Sequence, residues 1–271
     1  MVNGTEYDHV VLTPDEEIQA LRVAKKKKYY HEVNKRYSEE LKRETTDQAY
    51  DAVQMLSMIV EKAKNNDLGF GVDQFNEEII ENLCLYFTGN PGKYDLKKGL
   101  LIFGNVGCGK TTLMRLFNEN PHGSFRIVPC KRLADEILKA GNDADQVLNS
   151  YSRLSSNTLI ARRFNNGSNL GWCFDDLGTE DNVKSYGNQR NVMADILLRC
   201  YDNNTLRGRI HITTNLPRSM YLNEAGQEIL GIKEIYGDRV VSRISEMFNE
   251  VEFPLSAPDY RKLNNQKKNT Q

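Results

Sequence analysis

Short apolar runs alternate with amphipathic segments along the chain from about residue 75 onward. Each run is five residues or fewer and is bounded by polar or turn-forming residues, which is typical of buried strands. Strands that alternate with helices favour an α/β fold built on a parallel sheet. The expected strands span 99–103, 125–128, 170–174, 209–213 and 251–253. The expected helices span 75–87, 110–117, 132–139 and 188–201.

The first part of the chain has a different pattern. Residues 15–43 mix both charge signs with sparse apolar positions, which predicts a long exposed helix, and 47–63 is a more apolar helical segment. Residues 65–71 are rich in turn formers and predict a linker. We therefore expect a helical N-terminal partner-binding region, an α/β domain and a polar tail, with the bounds 1–68, 75–262 and 263–271.

Composition narrows the class of protein. The 271 residues are 39% hydrophobic and 27% charged, which is typical of a folded domain. No stretch is long and apolar enough for a membrane helix, and the start lacks the features of a signal peptide, so a cytoplasmic location with no membrane partner is expected. The net charge of −1 provides no global attraction to nucleic acid, and five cysteines without C-x-x-C spacing predict reduced thiols.

The strongest motif follows the first expected strand and opens the next helix. It matches G-x-x-x-x-G-K-[ST], in which backbone N–H groups surround a phosphate, the lysine neutralises the β- and γ-phosphates, and the hydroxyl binds Mg²⁺. An ordinary glycine-rich turn is the alternative. Cys108 within the loop has either a lowered thiol pKa or a small filling role. The expected phosphate-binding residues are Gly104, Asn105, Val106, Gly107, Cys108, Gly109, Lys110, Thr111 and Thr112.

Polar side chains end two later strands. Asp175 and Asp176 follow the apolar run at 170–174, so one carboxylate is expected to hold Mg²⁺ and the other to orient or deprotonate the attacking water. Asn215 follows the next run and is expected to reach that water or the γ-phosphate. The alternative is that these residues only cap or turn the chain.

Two arginines lie four residues apart near the C-terminal part of the α/β domain. Arg239 and Arg243 share one face of an expected helix, from which a guanidinium could enter a neighbouring subunit's nucleotide site. The alternative is a solvated or salt-bridged helix face.

The four motifs in this order resemble the AAA+ ATPases, and among them the DnaC/IstB-type group of bacterial helicase loaders and transposition ATPases. The segments that carry the resemblance are GLLIFGNVGCGKTTLM, CFDDLGTE, HITTNLP and GDRVVSRI, within residues 75–262. The resemblance implies a five-stranded sheet of order 5-1-4-3-2 and an ATP-dependent homo-oligomer. It also implies these roles: Thr111 and Asp175 on Mg²⁺, Asp176 as catalytic carboxylate, Asn215 as sensor 1, Arg243 as finger in trans and Arg261 as sensor 2.

Two features depart from that family. Most AAA+ proteins carry Glu where this chain has Asp176, which is one methylene shorter, so slow turnover is expected. Only 56 residues follow Asn215, which leaves little room for the C-terminal helical lid common in the family.

The expected activity is that of a helicase loader which binds and hydrolyses ATP. Its partners would be a replicative helicase, gripped by the N-terminal helices, and single-stranded DNA, with Arg162 and Arg163 as candidate contacts. A transposition ATPase that serves a transposase would share the same core. A small-molecule P-loop kinase and a nucleotide-binding scaffold without turnover remain as alternatives of other classes.

Overall fold

The chain divides into two compact units, 1–48 and 49–271, each described here by itself. The computed structural model describes residues 11–44, 51–66, 70–156, 169–180, 183–185, 188–203 and 206–263. The first unit contains one described helix, α1 (Pro14–Glu44), as the charge pattern predicts. Its start is fixed by Thr13, whose backbone N–H donates to the Glu16 carboxylate (2.8 Å).

The second unit alternates helices and strands as predicted. Its helices are α2 (Ala52–Asn65), α3 (Glu77–Phe87), α4 (Lys110–Phe117), α5 (Cys130–Ala140), α6 (Ala144–Tyr151), α7 (Val192–Asp202) and α8 (Ile232–Met247). Its strands are β1 (Gly99–Phe103), β2 (Phe125–Pro129), β3 (Ser155–Ser156), β4 (Asn169–Leu177), β5 (Val183–Ser185), β6 (Asn188–Arg190), β7 (Ile210–Thr214), β8 (Tyr221–Leu222), β9 (Glu228–Ile229) and β10 (Phe248–Glu252).

Five strands form one parallel sheet in the order β10-β1-β7-β4-β2, and β3 pairs antiparallel with β4. Numbered along the chain, the five parallel strands have the order 5-1-4-3-2, so the predicted P-loop NTPase fold is confirmed. The carboxyl ends of the parallel strands meet at one edge of the sheet. That edge therefore collects the residues that follow β1, β4 and β7.

Helices cover both faces of this sheet. Successive side chains of β1 point to opposite faces: Leu100 and Ile102 belong to the core cluster that contains α2, α3 and α4, whereas Leu101 and Phe103 belong to the cluster that contains α5 to α8. All five residues of β1 are buried. Burial on both faces explains why this strand reads as a continuous apolar run rather than as an alternating one.

The boundary between the two units lies earlier than the sequence predicts. Met55, Ile59 and Ala63 of α2 are buried against α3 and α4, so α2 packs on the sheet unit, although the sequence predicts that it belongs to the N-terminal region 1–68. The helix starts at a capping box in which Asp51 accepts from the Gln54 backbone (2.7 Å). The partner-binding role expected of 1–68 stays a prediction.

Other element boundaries also differ from those expected. Residues 188–190 form β6 rather than helix, and α7 begins at Val192 after the Asn191 N-cap. The last strand is 248–252 instead of 251–253. In the described part after β10, residues 260–263 are helical. Among the described helices, none has the length and apolar character to cross a membrane.

Candidate functional site

The loop between β1 and α4 has the backbone of a phosphate-binding loop. Gly107 and Gly109 have φ values of 83° and 99°, in the left-handed region that favours glycine. A Cβ on Gly107 would lie 2.0 Å from a carboxylate oxygen of Asp259, so this position also lacks space for a side chain. Gly109 is the N-cap of α4, whose helix dipole favours an anion at this end.

Lys110, the first residue of α4, is the central cation of this loop. Its ammonium donates to the backbone oxygens of Gly104 (2.8 Å) and Asn105 (3.0 Å) and to the side-chain oxygen of Asn215 (2.7 Å). The residue is 5% exposed, and its ammonium is bonded to no carboxylate among the described residues, although the Asp175 and Asp176 charges are near enough to act on it. Burial lowers the pKa of Lys110, because the charged form loses hydration. A buried ammonium without a bonded carboxylate is a good partner for an anionic ligand.

The two aspartates lie where the pairing of β4 with β7 is interrupted. The register shifts between Phe174 and Leu177, and Asp176 is the one described residue other than glycine with a positive φ, 56°. Such a bulge redirects side chains, and backbone outliers of this kind concentrate at functional sites. The result places Asp175 and Asp176 in different environments.

Asp175 is oriented by two hydroxyl groups. Thr111 of the loop and Thr213 of β7 both donate to the same oxygen, Oδ1, at 2.8 and 2.7 Å. The carboxylate is buried, at 6% exposed. The Thr111 hydroxyl and a carboxylate oxygen side by side are hard oxygen ligands of the kind that Mg²⁺ prefers, so these residues fit the predicted metal.

Asp176 and Asn215 form the other polar pair of the site. The Asn215 amide nitrogen lies 3.5 Å from an oxygen of Asp176, and Asn215 also accepts from Lys110. The backbone N–H of Asp176 donates to the Thr213 hydroxyl (2.9 Å). Burial raises the pKa of Asp176 and the neighbouring Asp175 carboxylate raises it further, while Lys110 and Arg261 oppose the rise. A carboxylate with a raised pKa is a suitable proton acceptor.

These groups border one cavity at the carboxyl edge of the sheet. Most of the predicted phosphate-binding residues contribute to its wall, as do Asp176, Asn215 and Arg261. The wall also includes residues that the sequence analysis missed: Phe70, Gly71, Asn76, Leu113, Phe253 and Tyr260. The cavity therefore combines a cationic, hydrogen-bonding part with apolar and aromatic side chains.

Tyr260 links three distant segments at this cavity. Its backbone N–H donates to the Gly107 carbonyl (3.0 Å), and its hydroxyl donates to the Asp73 carboxylate (2.5 Å). Asp73 and Tyr260 are 187 residues apart, so no local pattern could pair them. The one available signal was the position of Tyr260 directly before Arg261.

One alternative considered for Cys108 is wrong. The thiol is 1% exposed, and burial raises its pKa; the nearby Lys110 charge opposes the rise without reversing it. Cys108 therefore fits the second alternative, a small residue that fills space. All five cysteines are buried and free.

The two arginines of α8 lie away from this cavity. Neither is among the described residues of its wall. The Arg243 guanidinium lies over the Tyr201 ring, 4.2 Å from its centroid, and donates to the Tyr201 hydroxyl (3.1 Å). Arg239 is exposed. The candidate DNA contacts Arg162 and Arg163 lie outside the described residues.

The site as a whole is suited to binding a phosphate chain with a divalent cation. Lys110 and the loop N–H groups would face such phosphates, and Thr111, which is bonded to Asp175, would supply oxygen ligands together with it. Asp176 and Asn215 lie beside Lys110, where a water molecule could be oriented and deprotonated.

Comparisons with known proteins give only distant structural similarity. The chain matches no protein-family model and no curated protein sequence. It is similar to the crystal structure of the DnaC helicase loader at 18% identity, with a TM-score of 0.41 over 68% of this chain and 93% of that one.

Two further solved structures are similar to the chain, each at 17% identity over 74% of it. They are AMPPCP-bound DnaA from Aquifex aeolicus, with a TM-score of 0.43, and a DNA replication initiation factor, with a TM-score of 0.45. The match covers 53% of each of those chains, so about half of their length has no counterpart here.

Proposed function

We propose that this protein is an AAA+-type ATPase that binds MgATP in the cavity beside Lys110 and hydrolyses it. The observation that carries the proposal is the buried Lys110 ammonium, which is surrounded by uncharged oxygens of the loop and Asn215 rather than bonded to a carboxylate. A triphosphate would supply the missing negative charge. The aromatic part of the cavity wall is suited to the base.

Each polar group has a distinct task in this proposal. Lys110 neutralises the β- and γ-phosphates, and Thr111 with Asp175 would hold Mg²⁺, which shields the phosphate charge when bound. Asp176 accepts the proton of the attacking water, and Asn215 orients that water. Arg261, at the cavity wall, adds positive charge near the phosphates.

The reaction also needs an arginine from a second copy of the chain. Asp176, Asn215 and Lys110 face the phosphates from one side, and Arg261 is the one arginine among the described wall residues. Arg243 of a neighbouring copy, as the sequence analysis favours, would stabilise the charge that develops during phosphoryl transfer. Exposed Arg239 is the alternative on the same helix.

The biological role that we propose is helicase loading. α1 leaves Ile18 and Leu21 about half exposed beside a run of lysines, which supports a protein-binding role for this helix. A replicative helicase is the proposed client and single-stranded DNA the proposed ligand. A transposase is the client in the alternative.

The test is a nucleotide binding and hydrolysis assay on the full chain. Wild-type protein should bind MgATP and release phosphate faster when helicase and single-stranded DNA are present. Lys110→Ala should weaken MgATP binding at least about 100-fold, since the loop loses the charge that meets the phosphates. Lys97→Ala, which removes an exposed lysine outside the cavity wall, is the matched control and should bind like wild type.

Three outcomes would contradict the proposal. Unchanged affinity in Lys110→Ala would rule out the phosphate site. Phosphate transfer that requires a small acceptor would indicate a kinase. Stimulation by a transposase instead of a helicase would favour the transposition ATPase.

A further inference from the structure

Two loops of the nucleotide site are hydrogen-bonded to the first turns of α8. The loop after Asp176 reaches α8 through Glu180, whose carboxylate accepts from the Tyr236 hydroxyl and from the Gly178 backbone N–H (2.9 Å). Gly178 is two residues from Asp176, and Thr179 donates to the Asp176 carbonyl from both its N–H (3.1 Å) and its hydroxyl (2.7 Å). Glu180 is thus part of the turn that shapes the backbone at Asp176.

The second loop follows Asn215. The backbone N–H groups of Ile232 and Lys233, at the start of α8, donate to the carbonyls of Pro217 (2.9 Å) and Arg218 (3.2 Å). These carbonyls lie two and three residues beyond Asn215. The first turns of α8 are therefore hydrogen-bonded to the loops of both Asp176 and Asn215.

The helix is interrupted directly after Tyr236. Gly237 has φ 81° and ψ 165°, which is not helical, and the helix resumes at the next residue. Arg239 and Arg243 lie on the resumed segment, beyond this break. The orientation of that segment depends on how the residue before the break is held, because a glycine by itself fixes the chain direction poorly.

Tyr236 is well suited to hold the chain at this point. It is 7% exposed and belongs to the core cluster beneath α8, so its ring is fixed by packing and its hydroxyl by Glu180. Phenylalanine would pack as well without the need for a buried acceptor. Burial raises the pKa of Glu180, because the ionised carboxylate loses hydration there. Packing alone does not account for this pair.

We propose that Glu180 and Tyr236 are positioning residues, which couple the turn that carries Asp176 to the helix that presents Arg239 and Arg243 to the next copy of the chain. The nucleotide state of one subunit then adjusts the arginine that it offers to its neighbour. The inference rests on the proposed function, since it requires a nucleotide site shared between copies. It adds Glu180 and Tyr236 to the proposed mechanism as residues that act through Asp176 and the arginines of α8 and do not contact the nucleotide.

The test is a mixture of two variants in which only one kind of site can react. The acceptor chain carries Arg239→Ala and Arg243→Ala, so it keeps its nucleotide site and offers no finger. The donor chain carries Asp176→Asn, so its own site is inactive while its arginines remain. The mixture should hydrolyse MgATP only where a donor arginine meets an acceptor site.

Tyr236→Phe is then added to the donor chain. The proposal predicts that kcat of the mixture falls about tenfold, because the donor arginine is misplaced. KM should stay the same, because the nucleotide is bound by the acceptor chain, which is unchanged. Glu180→Gln in the donor keeps a side-chain oxygen that can accept from Tyr236, and it should retain more of the rate than Glu180→Ala. Thermal unfolding of each donor checks that it folds.

Tyr151→Phe in the donor is the matched control. Tyr151 belongs to the same core cluster as Tyr236 and also donates to a glutamate, Glu136 (2.6 Å), and among the described residues no hydrogen bond joins either side chain to the two loops. This variant should leave the rate of the mixture unchanged.

The possible failures are distinguishable. If the donor Tyr236→Phe gives the same rate as the Tyr151→Phe control, the coupling alone is overturned. The same holds if the rate falls only when Tyr236→Phe is placed in the acceptor chain. No hydrolysis in the starting mixture would overturn the shared site itself, and the coupling with it.

Discussion

The carboxyl edge of the sheet, with Lys110, Thr111, Asp175 and Asn215, is called here the phosphate edge. Its polar groups are already in place beside the cavity, whereas those of the arginine-bearing segment of α8 are not. At the edge, Lys110, Thr111, Asp175 and Asn215 are hydrogen-bonded to one another or to the loop backbone. On α8, Arg243 is bonded to Tyr201, outside the cavity wall. One region is pre-organised for its ligand within a single chain, and the other is not.

This difference implies that MgATP binding and ATP hydrolysis have different requirements. Groups that are already oriented contribute to affinity without an added ordering cost, so one copy of the chain should suffice to bind MgATP. Stabilisation of the transferred phosphoryl group needs positive charge at the far side of the γ-phosphate. If an arginine of α8 supplies it, turnover depends on assembly whereas binding does not.

The largest effect should come from removing the finger. Arg243→Ala should lower kcat for ATP hydrolysis by at least about 10³-fold, because a finger in trans contributes that much to phosphoryl transfer. MgATP affinity should stay within about twofold, since the phosphate edge is untouched. Single-turnover hydrolysis and equilibrium binding on the same preparation measure both quantities.

Arg239→Ala is the matched variant one helical turn earlier. If it loses hydrolysis and Arg243→Ala does not, the finger is Arg239 and the choice made from the sequence is wrong. If both variants hydrolyse at the wild-type rate, α8 supplies no finger and the contrast between the two regions disappears.

A smaller effect is expected at Asp176. Asp176→Asn should lower kcat by about 10²- to 10³-fold with MgATP binding retained, since a general base contributes in this range. Asp176 must be ionised to accept the proton, and its pKa is raised above 3.8, the ordinary pKa of an aspartate. As the pH is lowered, the activity of the wild type should therefore begin to fall while the pH is still above 3.8. The residual activity of Asp176→Asn should lack this acid limb.

A pH profile of kcat, measured for both proteins with binding checked at each pH, tests this assignment. An acid limb that persists unchanged in Asp176→Asn would assign the titration to another group and would exclude Asp176 as the base.

The parts of the site that the sequence predicted are those encoded locally. The motif 104–111 spans the loop after β1 and the first two residues of α4, as expected, because its glycines, lysine and hydroxyl must be contiguous to surround a phosphate. Asp176 and Asn215 could be placed because parallel strands end at a common edge. The strand order, by contrast, was implied by the family resemblance and not by this reasoning.

The parts that were missed depend on long-range contacts. Glu180 and Tyr236 are 56 residues apart, and no periodicity joins them. α2 has the amphipathic pattern of any surface helix, and this pattern does not specify which core it will cover. Residues 188–190 belong to the helix expected at 188–201, and they form β6 by pairing with β5.

The central claim is that the site of a nucleotide bound by one chain is completed by an arginine of a second copy, so that MgATP binding promotes assembly. Sedimentation velocity with a non-hydrolysable ATP analogue and Mg²⁺ tests it most directly. Wild-type protein should sediment as a single chain without nucleotide and as an assembly with the analogue, and Lys110→Ala should remain a single chain under both conditions. Wild-type protein that binds the analogue to saturation and still sediments as a single chain would contradict the account.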